Sequence, residues 1–166
     1  VMPWIITSQT IPILAIAPMI VVALGSAGFS GLMPIVIISM YLSFFPVVVG
    51  MVKGLKSPEQ LEVDLMKTWS ASKAQVLFKL RVPKSTPYLF TSLKLGMAAS
   101  VVGAIVGELP SGGGGGLGFR MLSGSTFGNT LHIWSGLFSA AILAGSLISI
   151  IIIIERVVLK RMALET

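Results

Sequence analysis

The sequence contains no cysteine, which excludes disulfides, thiolate metal sites and cysteine nucleophiles from its chemistry. It is also poor in charge. Asp, Glu, Lys and Arg make up 11% of its 166 residues, whereas an average soluble domain carries roughly 25%. Its single histidine, His132, has no Cys, His or carboxylate at ligand spacing nearby, so it reads as a helix-end residue at an interface and not as a metal ligand. The first residues, Val1-Met2-Pro3-Trp4, lack the basic n-region and cleavage site of a signal peptide. The expectation is a chain truncated at its N-terminal side within a longer protein.

What is present is apolar surface. Hydrophobic residues make up 54% of the chain and the mean hydropathy is +0.94. Twelve basic and six acidic residues cannot supply the polar exterior of a soluble domain, so lipid is the simpler solvent. The net charge of +6 would suggest nucleic acid in a soluble protein, but membrane topology accounts for it better and no nucleic-acid partner is expected.

A bilayer core requires about 20 mainly apolar residues per helix, because lipid offers no partner to a free backbone N–H or C=O. Four stretches meet that need: 5–24, 32–52, 88–109 and 133–154. The second and fourth carry no charged residue. The first contains Pro12 and Pro18 and is expected to be kinked, while the third carries Lys94 near its start, where the side chain can snorkel, and Glu108 near its far end. Lys53, Lys56, Lys67, Lys73, Lys79, Arg81 and Lys84 fall between the second and third stretches, and Arg156, Lys160 and Arg161 follow the fourth. Basic residues are retained inside, so both segments are expected to be cytoplasmic. The fold class that follows is all-α, a polytopic transmembrane helical bundle forming one domain over 1–166. It would have a cytoplasmic loop at 53–87 and an outer Gly-rich loop at 110–130.

The basic loop reads as a helical hairpin. Ser57-Pro58-Glu59-Gln60 sets a cap, a proline and a glutamine in series, which predicts a helix from Pro58 with Leu61, Leu65, Thr68 and Trp69 on one face. A second box, Ser72-Lys73-Ala74-Gln75, predicts a short second helix with Val76, Leu77 and Leu80 inward and Pro83 as its end. The two would meet near Ser70-Ala71. Small residues on the third stretch (Gly96, Ser100, Gly103, Ala104, Gly107) and on the fourth (Gly136, Ala140, Ala144) allow helices to approach closely in lipid. The glycines 112–116 with Gly118 follow no strand and precede no G-K-[ST], so they are not a phosphate cradle.

Asp64-Leu65-Met66, then Ser70, then Pro83 resembles the EAA motif of the cytoplasmic loop in permease subunits of bacterial ATP-binding-cassette (ABC) importers of the binding-protein-dependent type. Asp64 stands where that family has glutamate, and Ser70 where it has the turn glycine. Further stretches match the nitrate, sulfonate and taurine group: Pro12 to Pro18, Val106-Gly107-Glu108, Gly116-Leu117-Gly118 and Glu155-Arg156. Ser70-Ala71-Ser72, Arg81-Val82-Pro83 and the run 102–110 look most like its branch for the thiamine pyrimidine precursor or riboflavin. The resemblance implies an inner-membrane transport subunit that hydrolyses nothing itself and needs no cofactor. It implies as partners a cytoplasmic ABC ATPase subunit, an extracytoplasmic substrate-binding protein, a second permease copy in a homodimer, and the lipid bilayer. It further implies that Asp64, Leu65, Met66, Trp69, Ser70, Ala71 and Pro83 form the ATPase-coupling loop.

Glu108, with Gly103 and Gly107, is the candidate for a pathway or gate, since an acidic group at the end of a span is costly unless paired or wetted. The alternative is an interfacial carboxylate hydrogen-bonded to the Gly-rich turn. A channel or ion-coupled secondary transporter would also need spans and such a carboxylate, but has no use for a capped, Lys-rich hairpin. An intramembrane enzyme built on Glu108 and His132 lacks a nucleophile or metal set to complete its site.

Overall fold

The structure is a computed structural model and describes residues 12–29, 31–111 and 115–164. Among them the chain is helical and has no strand: α1 is Ile13–Ser26, α2 Leu32–Leu55, α3 Gln60–Thr68, α4 Lys73–Val76, α5 Val82–Ser111, α6 Leu117–Thr126 and α7 Thr130–Leu164, with a π-helical segment Leu77–Arg81 between α4 and α5. Three helical stretches, Leu32–Leu55, Lys73–Pro110 and Thr130–Met162, are long and apolar enough to cross a membrane. The exposed side chains on them include Leu32, Met40, Phe44, Leu95, Phe138, Ile142 and Ile153. Helices that turn this much hydrocarbon outward need lipid or another apolar partner around them.

The remaining expected stretch, 5–24, begins in residues outside those described. Its remainder is α1, whose 14 residues rise about 21 Å. Pro12 precedes its first turn with extended backbone, and Pro18 lies inside it.

Three sequence expectations change. Pro83 does not end the second hairpin helix, because helical conformation continues without a break from Lys73 to Pro110. A proline in a helix clashes with the carbonyl four residues earlier, which here is Lys79, and Lys79 lies inside the π-helical segment Leu77–Arg81. The wider π turn provides room at that point. Likewise, the first hairpin helix is not capped by Ser57. It begins at Gln60 after Glu59, because Lys56 and Ser57 are still bonded back onto the end of α2, through Lys56 N–H to Val52 O and Ser57 N–H to Gly54 O. Finally, the expected outer loop 110–130 contains the ten-residue helix α6.

The chain divides into two compact units. The first draws on Val1–Phe45 and Gly96–Ile148. In it, α5 lies directly against the backbone of α2: a Cβ added at Gly103 would sit 2.8 Å from Ser39 Cα, and one at Gly107 3.1 Å from Ile35 Cα. Ile38 and Pro34 of α2 are fully buried. Helix α6 packs as tightly, with Gly118 against the Ile105 carbonyl and Gly136 of α7 against Met121. A side chain at Gly103 or Gly118, where the neighbour is backbone, would push the helices apart, whereas at Gly107 Ile35 would have to give slightly and at Gly136 the Met121 side chain would have to move.

The second unit draws on Pro46–Leu95 and Ser149–Thr166. Here Gly50 and Gly54 of α2 lie against Ser92 and Ser85 of α5. Both serines are buried. Their hydroxyls donate within their own helix, Ser85 Oγ to Val82 O at 2.7 Å and Ser92 Oγ to Leu89 O at 2.8 Å, so neither polar atom is left unsatisfied.

Candidate functional site

The hairpin belongs to the second unit and is built from its caps inward. Glu59 N–H donates to Glu62 Oε2 at 2.9 Å at the start of α3. At the other end Ser70 N–H donates to Lys67 O at 2.8 Å and Ala71 N–H to Met66 O at 3.1 Å, which is the Schellman ending. That motif requires a left-handed residue after the cap, and Ser70 takes it with φ +55°. Ser70 thus adopts, with a side chain, the backbone conformation that glycine usually supplies. The same ending closes α1 at Gly28, and at the end of α6 Asn129 N–H donates to Gly124 O at 2.8 Å across Gly128; in both the left-handed residue is glycine. Beyond the turn, Ser72 N–H donates to Gln75 Oε1 at 2.7 Å and Gln75 N–H to Ser72 Oγ at 3.3 Å, the reciprocal box read from the sequence.

This framework sorts the candidate coupling residues. Leu65 and Trp69, with Leu61, form an open face on α3, all more than half exposed. Met66 and Ala71 are half-buried. Asp64 is exposed and does local work: its Oδ1 accepts from Lys67 Nζ at 2.8 Å and from Gln60 Nε2 at 3.1 Å. The Lys67 ammonium, helped by the Gln60 amide, holds this carboxyl below the ordinary aspartate value. Pro83 stands apart from the turn, at the second position of α5.

An ion pair between Glu62 and Lys84 ties the first hairpin helix to the start of α5. The Lys84 hydrogen bond, with the Glu59 N–H, holds the Glu62 carboxyl below its ordinary value. Sequence reading missed both residues as partners, since 22 positions separate them. Lys94, read as a side chain able to snorkel, has its Nζ 2.8 Å from Glu155 Oε2, a pair that joins α5 to α7 with 28% and 16% of the two side chains exposed.

The other candidate lies in the first unit. Glu108 Oε2 accepts from Gly118 N–H at 2.6 Å and Phe119 N–H at 3.4 Å. These are two of the first N–H groups of α6, which have no partner inside their own helix. The carboxylate therefore caps a neighbouring helix, where the positive end of the helix dipole favours it. A Cβ at Gly116 would lie within 2.4 Å of three Glu108 atoms, so the glycine makes room for the carboxylate. The carboxylate thus engages the start of α6, directly after the Gly-rich turn. Gly103 and Gly107 are buried contacts against α2. Among the described residues no group of three or more His, Cys, Asp or Glu side chains is placed to hold a metal.

Comparison with known proteins decides the family. Residues 1–164 match the binding-protein-dependent transport system inner membrane component. The chain belongs to that family. It is 37% identical over 108 residues to the formylaminopyrimidine transport permease protein ThiX of Halalkalibacterium halodurans, covering 65% of this chain and 42% of the relative. It is 29% identical over 110 residues to the riboflavin transport system permease protein RibX of Chloroflexus aurantiacus, covering 66% and 40%. It is 30% identical over 137 residues to the taurine transport system permease protein TauC of Escherichia coli, covering 82% and 48%. The chain thus spans a little under half the length of these relatives. Family and helices together make it part of a multi-pass protein of the bacterial cytoplasmic membrane, of a family whose members are transport components without an ATPase site of their own.

Proposed function

We propose that the full-length protein is the permease subunit of an ATP-driven importer: two copies form the pathway, an extracytoplasmic binding protein delivers the substrate, and cytoplasmic ATPase subunits engage the hairpin Gln60–Arg81. The observation that carries this reading is the open face of Leu61, Leu65 and Trp69 beside the Ser70 turn. Three large apolar side chains on a short, capped helix outside the long apolar stretches need a cover, and a protein cleft provides one. Basic residues cluster around this hairpin, which supports placing it on the cytoplasmic side. The second hairpin helix runs without a break into the following span. A shift of the hairpin would therefore reach the membrane along a continuous helix.

Glu108, Gly103 and Gly107 are proposed to shape the pathway indirectly. The carboxylate is engaged with Gly118 and Phe119 and the glycines with α2, so they hold helices in place and leave substrate contacts to other groups. The names of the relatives point to a small organic anion or a vitamin-related heterocycle as substrate. The test is to produce the full-length permease with its ATPase and introduce Leu65→Glu with Trp69→Glu. ATPase co-purification is expected to fall at least about tenfold, near 1.4 kcal/mol, with membrane insertion unchanged. Unchanged association and ATP-dependent uptake would refute the coupling role, and uptake driven by an ion gradient without ATP would refute the importer.

A further inference from the structure

The hairpin has a second, chemically different surface. Val63 and Lys67 lie two positions on from Leu61 and Leu65, which on a helix turns them to the opposite side from the open apolar face. There they line a cavity of about 420 Å³, within the roughly 300–1,000 Å³ of small-molecule sites. Its polar contributors are all cations, Lys67, Lys73 and Arg81, and its floor is apolar, from Val63, Val76 and Leu77. Lys67 is paired with Asp64. Among the described residues Lys73 and Arg81 have no ion-pair partner and no carboxylate lines the cavity, and Glu62 on the same helix as Val63 is paired with Lys84.

We infer that this groove binds the phosphate of an anionic phospholipid from the cytoplasmic leaflet. Two uncompensated cations over an apolar floor match an amphiphile: the phosphate meets Lys73 and Arg81, and the first acyl carbons lie along Val76 and Leu77. Position agrees with chemistry. Arg81 precedes the expected start of the span at residue 88 by seven positions, a rise of about 10 Å, which sets the groove at headgroup depth. The negative surface of that leaflet attracts each Lys or Arg near it. The inference rests on the proposed cytoplasmic placement of the hairpin and not on the ATPase docking proposed for the Leu61, Leu65 and Trp69 face, although Ala71 lines the groove as well.

The experiment takes the full-length permease in detergent and measures lipid retention by native mass spectrometry against phosphatidylglycerol and phosphatidylcholine. Retention of phosphatidylglycerol is expected to exceed that of phosphatidylcholine about tenfold. Lys73→Gln with Arg81→Gln should abolish the preference, while Lys73→Arg with Arg81→Lys and the neighbouring Lys79→Gln should keep it. An equal loss in Lys79→Gln, or a preference that survives Lys73→Gln with Arg81→Gln, overturns the groove as the site. Displacement of phosphatidylglycerol by millimolar inorganic phosphate would show that a free anion occupies it and overturns the lipid. Because co-purification of the ATPase is measured separately with Leu65→Glu and Trp69→Glu, failure of either reading leaves the other standing.

Discussion

The two units meet the same difficulty, a carboxylate held among apolar helices, and meet it differently. In the second unit Glu155 is matched by a full opposite charge from Lys94 on a neighbouring helix. In the first, Glu108 is matched by peptide N–H groups at the start of α6. An ion pair gains much from Coulomb attraction but leaves a costly charge behind if one partner is lost. A helix-end cap gains less and loses less, because unmet N–H groups at the membrane edge can turn to water. The first arrangement ties α5 to α7; the second sets where a short helix begins.

Removing one partner of each should therefore give unequal damage. Glu155→Ala leaves the Lys94 ammonium unpaired with 28% of its side chain exposed. The pair is only partly buried, so the expected destabilisation lies between the roughly 1 kcal/mol of an exposed pair and the roughly 3–5 kcal/mol of a broken buried one, read as a fall in the thermal midpoint of the detergent-solubilised permease. Lys94→Met with Glu155→Leu should recover most of it, which a merely steric effect of the alanine would not allow. Glu108→Ala should cost about 0.5–2 kcal/mol, the range of a lost helix cap, and Glu108→Gln less, since an amide oxygen still accepts from Gly118 N–H. Equal effects of the two alanine substitutions would remove the distinction.

Smaller changes sharpen the comparison at the hairpin. Ser70→Gly is expected to stabilise by up to about 1 kcal/mol, because it relieves a side chain at positive φ, measured as slower trypsin cleavage within 67–73. The smallest effect is that of pH. Glu62 and Asp64 are held below their ordinary values by Lys84 and Lys67. Their contribution is therefore complete above the unfolded values, 4.5 and 3.8, and is lost as pH falls through the lower folded ones. The protection factors of the hairpin amides, that is their exchange rates corrected for the intrinsic pH dependence, should fall only in that acidic window, and a fall near pH 6 would contradict the assignment.

Long apolar stretches and a short polar box were legible in the sequence because each is a local pattern. Ser72 with Gln75 formed as read, and 32–52 and 133–154 lie within α2 and α7. What was not legible depended on distance or on competition. The Glu62–Lys84 and Lys94–Glu155 pairs join residues 22 and 61 positions apart. Pro83 read as a stop, which it is in a regular α-helix, and the π turn before it has no sequence mark of its own. Ser57 had the right neighbours for a cap, but its backbone was already engaged by the end of α2. The glycine pair Gly50 and Gly54 did carry a signal, the small-residue spacing noticed on α5 and α7, and it went unused on α2.

The account depends on which side of the membrane the hairpin faces. The chain contains no cysteine, so Lys73→Cys adds a single thiol to it on the groove side of the turn. Labelling with a membrane-impermeant maleimide in right-side-out vesicles should leave this thiol unmodified until the membrane is opened. Full labelling in sealed vesicles would place the hairpin outside and contradict both the ATPase docking and the lipid groove.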